Sequence, residues 1–147
     1  MNKEMISLDK QQATQAIEKV LQESKVGVLS TAYNKKPNSR YMVFYNDGLD
    51  LYTKTSTKTA KVDEIENNPN AYILLGYNET TNNSFVEIEA TMEIVKDQKV
   101  IDWLWETQDK TFFDSKEDPD LCVLKVNPKT ITLMNDDEID TPVTIEL

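Results

Sequence analysis

The run NSRYMVFYNDGLDLYTKTSTK, residues 38–58, decides how this chain folds. Its first eight residues, Asn38 to Tyr45, carry three aromatics and a valine and predict a strand. Asn46-Asp47-Gly48 then favours a tight hairpin with the glycine at positive φ, and LDLYTKT, residues 49–55, returns as the partner strand. A turn centred there sets Arg40 opposite the neighbourhood of Lys54. Arg40 is the only arginine among sixteen basic residues, and it lies within an aromatic strand rather than on a solvated helix face.

Upstream, Ala13, Ala16, Ile17, Val20 and Leu21 recur at helical spacing from Leu8 to Glu23, with Ser7 as N-cap. VGVLSTA, residues 26–32, reads as a strand that ends in the turn YNKKPN. Downstream, a short helix is expected from near Lys58, capped by Ser56 or Thr57 and stopped at Asn68-Pro69. AYILLGY (71–77) and FVEIEATMEIV (85–95) are strands, the second alternating apolar with acidic residues as a half-buried antiparallel strand does. A third helix is expected over Asp97–Glu106. After the acidic loop DSKEDPD come two strands, LCVLKV and TITLM, with a further strand at PVTIE. About six strands and three helices, without strand–helix repetition, predict a mainly β class: an antiparallel β-barrel with flanking helices, as one domain over residues 1–147.

Composition narrows the chemistry. The 147 residues are 39% hydrophobic and 29% charged, in the range of globular proteins. The opening MNKEMISLDKQQ lacks the apolar core of a signal peptide and no apolar run spans a bilayer, so a cytoplasmic location is expected. There is no histidine, which excludes histidine-dependent triads and histidine-ligated metals. The lone Cys122 excludes an intramolecular disulfide and a cysteine-cluster metal site, and its apolar surroundings predict a buried thiol. Any redox chemistry would then belong to a bound cofactor.

A net charge of −10 argues against nucleic-acid or anionic-membrane partners. Its distribution is uneven. Between Lys35 and Lys61 six basic residues face two acidic ones, a net +4 that leaves −14 for the remainder. Such a window is either a local anion site or a solvated lysine-rich hairpin. Arg40 on its strand, with Ser56, Thr57 and Lys58 at a strand-to-helix junction, could cradle a phosphate through a forked guanidinium, two hydroxyls, an ammonium and helix N–H groups. The same junction could equally be an ordinary helix cap.

The ordered set VGVLST, PNSRYMVFYNDGLDLYTKTSTKTAKVDEIENNPNAYILLGY, FVEIEATMEIVKD, IDWLW and EDPDLCVLKVNPKTITLM resembles the pyridoxamine 5′-phosphate oxidase-like flavoproteins, in particular the branch known as general stress proteins. The resemblance runs from about Ala13 to Met134. It implies a split barrel, a homodimer with FMN at the subunit interface, and an unidentified small-molecule substrate. By position it assigns the FMN phosphate and ribityl region to Arg40, Ser56 and Lys58, with Thr57 beside them. It assigns the ring edge to the backbone of Met42 and Val43 and to Tyr52-Thr53. Trp105 would either cover the ring or pack in the core; Tyr41 and Tyr52 could equally be cross-strand packing residues. Two departures stand out. Leu133-Met134 occupies the place of a Tyr-Trp pair common in the branch, and no histidine or second arginine exists to hold a pyridoxamine phosphate, so vitamin B6 oxidation is not expected. No residue is singled out as a catalytic acid or base.

Overall fold

A computed structural model describes residues 3–80, 82–107 and 119–147. In chain order the elements are α1 (Lys3–Glu23), β1 (Val26–Tyr33), β2 (Lys36–Val43), β3 (Tyr45–Asp47), β4 (Asp50–Ser56), α2 (Ala60–Asn67), β5 (Asn70–Asn78), β6 (Asn82–Val95), α3 (Gln98–Thr107), β7 (Leu121–Met134) and β8 (Val143–Glu146). The strands form one antiparallel sheet in the order β2-β1-β5-β6-β7-β4-β3, with β8 added on β7. The two ends of this order, β2 and β3, are separated in sequence only by Phe44. Strands at opposite edges joined through one residue can exist only if the sheet curls until its edges meet, which makes the barrel. Phe44 is fully buried, and its N–H donates to the Lys25 carbonyl at 2.7 Å.

Alternation along the strands fills the interior. Leu29, Leu51, Ile73, Leu75, Val86, Ile88, Leu124, Val126, Ile131 and Leu133 point inward and are essentially inaccessible to solvent. The helix α1 adds Ala13, Ile17, Val20 and Leu21 to this core, the apolar stripe that the sequence spacing predicts. A smaller cluster of Tyr52, Leu104 and Val123, flanked by Val100, Ile101 and Trp103, docks α3 on the outer face of β4 and β7. No helix among the described residues is long and apolar enough to cross a membrane.

Several expectations need correction. The barrel has eight strands rather than about six: Asn38–Tyr45 is divided at Phe44 between β2 and β3, and the further strand expected at PVTIE is β8. LCVLKV and TITLM are one strand, β7, which passes Pro128 by a register shift opposite Glu89/Ala90; the bulge absorbs the proline's missing donor. The hairpin closes on Gly48-Leu49, since Asp47 pairs with Asp50 and Tyr45 with Tyr52. Gly48, at φ +62, takes the first position of this two-residue turn. Because β4 pairs with β3 and β7 and not with β2, Arg40 is not opposite Lys54; it pairs with Leu29 on β1. The helix α1 begins at Lys3, which puts Ser7 inside it, and α2 begins at Ala60 with Thr59 as N-cap instead of Ser56 or Thr57. Most of the acidic loop DSKEDPD lies outside the described residues.

Gly27 marks a close approach in the sheet. A Cβ there would lie 2.8 Å from the Leu74 carbonyl oxygen and 2.8 Å from Leu75 Cδ1. Gly27→Ala is expected to destabilise the protein by about 1–3 kcal/mol through this overpacking, read from urea or thermal unfolding.

Candidate functional site

The period of two divides the basic window between the two faces of the sheet. On β2, Arg40 and Met42 face inward beside Leu29 and Gly27, while Tyr41 and Val43 face outward. On β4, Leu51, Thr53 and Thr55 face inward, whereas Tyr52 and Lys54 face out toward α3. Arg40 consequently meets the inward-facing residues of β1 and the first turns of α2. Its Nη1 donates to Thr31 Oγ1 at 2.8 Å and to the Leu29 carbonyl at 3.3 Å, and its Nη2 meets Glu64 Oε2 at 3.3 Å. Thr31 Oγ1 donates onward to Glu64 Oε2 at 2.7 Å, and Asn38 Nδ2 to Glu64 Oε1 at 2.8 Å.

The lysine that shares this region with Arg40 is Lys61. It stands in the first turn of α2, half-buried, and donates to Thr55 Oγ1 at 2.6 Å. Among the described residues it has no carboxylate in ion-pair contact. Burial, and then repulsion from the Arg40 guanidinium, push its pKa below the usual lysine value. Two cations in mutual repulsion, one of them with no carboxylate in contact among the described residues, make a place where an anion would be stabilised. Sequence reasoning passed over Lys61 because the helix was expected to start two residues earlier, near Lys58. The available signal was its three-residue spacing from Glu64, which puts both on one helix face.

Lys58, by contrast, projects toward solvent with its side chain 77% exposed and pairs with Asp120 at 3.2 Å. Ser56 Oγ accepts the Lys58 N–H at 3.2 Å, and the Thr57 N–H is taken by the Asp120 carbonyl at 2.9 Å. These residues form the outer rim of the junction. Thr53 is buried and donates to the Val43 carbonyl at 2.7 Å, tying β4 to the end of β2 beside Met42. Tyr52 lies elsewhere, edge-on to Trp103 at 5.4 Å, and burial raises its pKa. Trp105 is half-buried beneath Lys54, whose ammonium stands 5.2 Å from the ring centroid, outside both core clusters. Cys122 is buried across from Thr55, and desolvation raises its thiol pKa. No acidic or cysteine cluster among the described residues is placed to hold a metal.

The lowered pKa of Lys61 has a sign that can be measured. Between that value and the ordinary 10.5, the unfolded chain binds more protons at this site than the folded one, so the group's contribution to stability rises with pH across the interval. Lys61→Met is expected to abolish that rise, seen as a wild-type minus variant difference in urea unfolding up to about pH 10.

Comparison with known proteins places this geometry. A family model described as pyridoxamine 5′-phosphate oxidase matches residues 13–135. General stress protein 26 of Bacillus subtilis (strain 168) is 43% identical over 141 residues, which cover 95% of this chain and 100% of that protein. The crystal structure of General Stress Protein 26 from Bacillus anthracis str. Sterne superposes with a TM-score of 0.80 at 32% identity, covering 92% of this chain and 98% of that one. An FAD-binding protein from Mesorhizobium loti shares the fold at a TM-score of 0.67 and 15% identity, covering 81% and 91% of the two chains. With its strand order and near full-length similarity, the chain belongs to the pyridoxamine 5′-phosphate oxidase-like split-barrel family.

Proposed function

We propose that the protein binds FMN at the Arg40–Lys61 end of the barrel and serves as a flavin-dependent oxidoreductase for a small molecule, as a cytoplasmic homodimer. The observation that carries this reading is the convergence of Arg40 and Lys61 inside the net +4 window, residues 35–61, of an acidic chain. A phosphate monoester fits that chemistry: Lys61 offers an ammonium with one described acceptor, and Arg40 retains N–H donors beyond those spent on Thr31, Leu29 and Glu64. Ser56, Thr57 and Lys58 stand at the rim, where the ribityl chain would leave the phosphate.

The ring would lie toward Met42 and Val43. The strand β2 ends the sheet order, so alternate backbone N–H and C=O groups along it point away from β1 and can meet a heterocycle edge. Thr53 fixes that edge by holding the Val43 carbonyl. Tyr52 and Trp105 would act from the α3 side, as part of the wall that excludes water. When bound, FMN would supply hydride exchange at its N5; the protein would supply anchoring, orientation and a dry surface. A second reading, flavin binding without turnover, is favoured by Leu133, which is fully buried in the barrel and adds no aromatic wall.

A dimer is supported by the outer face of β2-β1-β5. Val26, Tyr41, Val43, Tyr72 and Leu74 are each at least 40% exposed, and the register aligns Tyr41, Val28 and Leu74 in one row and Val43 with Val26 in the next. A contiguous apolar face of this kind on a soluble domain marks an interaction surface. Leu74→Lys is expected to shift the protein from dimer to monomer in sedimentation experiments; a wild-type monomer at all concentrations would refute the dimer.

The binding test is a fluorescence and absorbance titration with FMN. Arg40→Ala and Lys61→Ala are each expected to weaken binding by about 1.5–3 kcal/mol, the range for hydrogen bonds to charged groups. Lys58→Ala, at an exposed ion pair, should cost under about 1 kcal/mol. Colourless protein with no flavin response would reject the FMN reading, and bound flavin that stays oxidised with NADH and NADPH would favour binding without turnover.

A further inference from the structure

The only arginine of the chain is not left to solvent: Glu64 meets it in a closed polar ring. Arg40 Nη1 donates to Thr31 Oγ1, Thr31 Oγ1 donates to Glu64 Oε2, and Arg40 Nη2 returns to the same oxygen. Asn38 Nδ2 holds the second Glu64 oxygen, so both carboxylate oxygens are engaged. Glu64 is only 13% exposed and Arg40 24%, so the ring is partly shielded from water. Thr31, which links the two charges, is 3% exposed.

Stability alone accounts poorly for this arrangement. A shielded ion pair gives little net stabilisation relative to apolar packing, and α2 is already docked by Val62 and Ile65 in the main core. Its clear effect is geometric. A guanidinium is planar, and fixing both terminal nitrogens from the Thr31–Glu64 side leaves its remaining N–H donors directed the other way. Without the ring, the long side chain would sample several rotamers and would be driven from Lys61 by repulsion.

We propose that Glu64 is a positioning residue for anion recognition: it clamps Arg40 with its unspent donors turned toward the phosphate of the ligand, and it offsets enough charge for Lys61 to stand beside it. The proposal rests on the phosphate-ester reading of this site. Glu64 itself does not touch the ligand.

Because the chain has one arginine, side-chain guanidinium signals in nitrogen-edited NMR report Arg40 without assignment. In the wild type, hindered rotation should resolve the Arg40 Nη signals. Glu64→Ala should collapse them, and Glu64→Gln, which keeps an acceptor oxygen, should retain them. Glu64→Ala should weaken FMN binding about tenfold while leaving riboflavin, which has no phosphate, within about twofold, and Glu64→Gln should recover most of the loss. Unchanged Arg40 signals in Glu64→Ala, or equal weakening of FMN and riboflavin, would overturn the proposal and leave Glu64 a structural staple. Should wild-type protein bind no FMN, the flavin reading fails separately. Inorganic phosphate then decides: an Arg40 response present in wild type and lost in Glu64→Ala supports the clamp, and no response overturns it.

Discussion

The barrel depends on the single residue between β2 and β3. Those strands occupy opposite ends of the sheet order, yet Phe44 is all that separates them. The sheet can satisfy that connection only by curling, and Phe44 turns its ring into the interior created by the closure. A flat version of the same pairings would leave Phe44 in water and stretch the chain across the whole width of the sheet. Closure also brings the end of β2 against β4, where Thr53 bonds the Val43 carbonyl, and so juxtaposes residues ten apart that no β-ladder pairs directly.

The electrostatics of the site follow from that closure. An inward-facing arginine at a barrel end would be costly if unpaired. The fold answers with Thr31 from β1 and Glu64 from α2, while Lys61, one turn before Glu64, is held by Thr55. Three strands and one helix therefore contribute to this one region. The charge of the remainder makes the contrast sharper, because outside residues 35–61 the chain carries a net −14.

Much of the fold was legible in the sequence, and the misses share a cause. Alternation gave the inward face of FVEIEATMEIV, and 3.6-residue spacing gave Ala13, Ile17, Val20 and Leu21, because burial acts on those patterns directly. The hairpin register failed because a shift of the turn to Gly48-Leu49 changes every cross-strand pair. The break at Phe44 had no local marker, since a buried phenylalanine suits a strand as well as a strand junction. At the site, Arg40 was identifiable as an anomaly of type and place, but its partners Thr31 and Glu64 are close only in three dimensions. Lys61 was displaced from attention by Lys58, since a Ser-Thr-Lys run resembles a cap wherever the helix begins. The resemblance to a flavoprotein family supplied what local chemistry could not, the identity of the ligand to test.

Cys122 has a practical corollary. It is the one thiol of the chain, sealed in the barrel wall and held in its neutral form by burial. The native protein is thus already a cysteine-light background, in which a cysteine engineered onto the surface would be the site that takes a fluorophore or spin label. Labels placed on the barrel and on α2 could report the distance between them without first removing the natural residue.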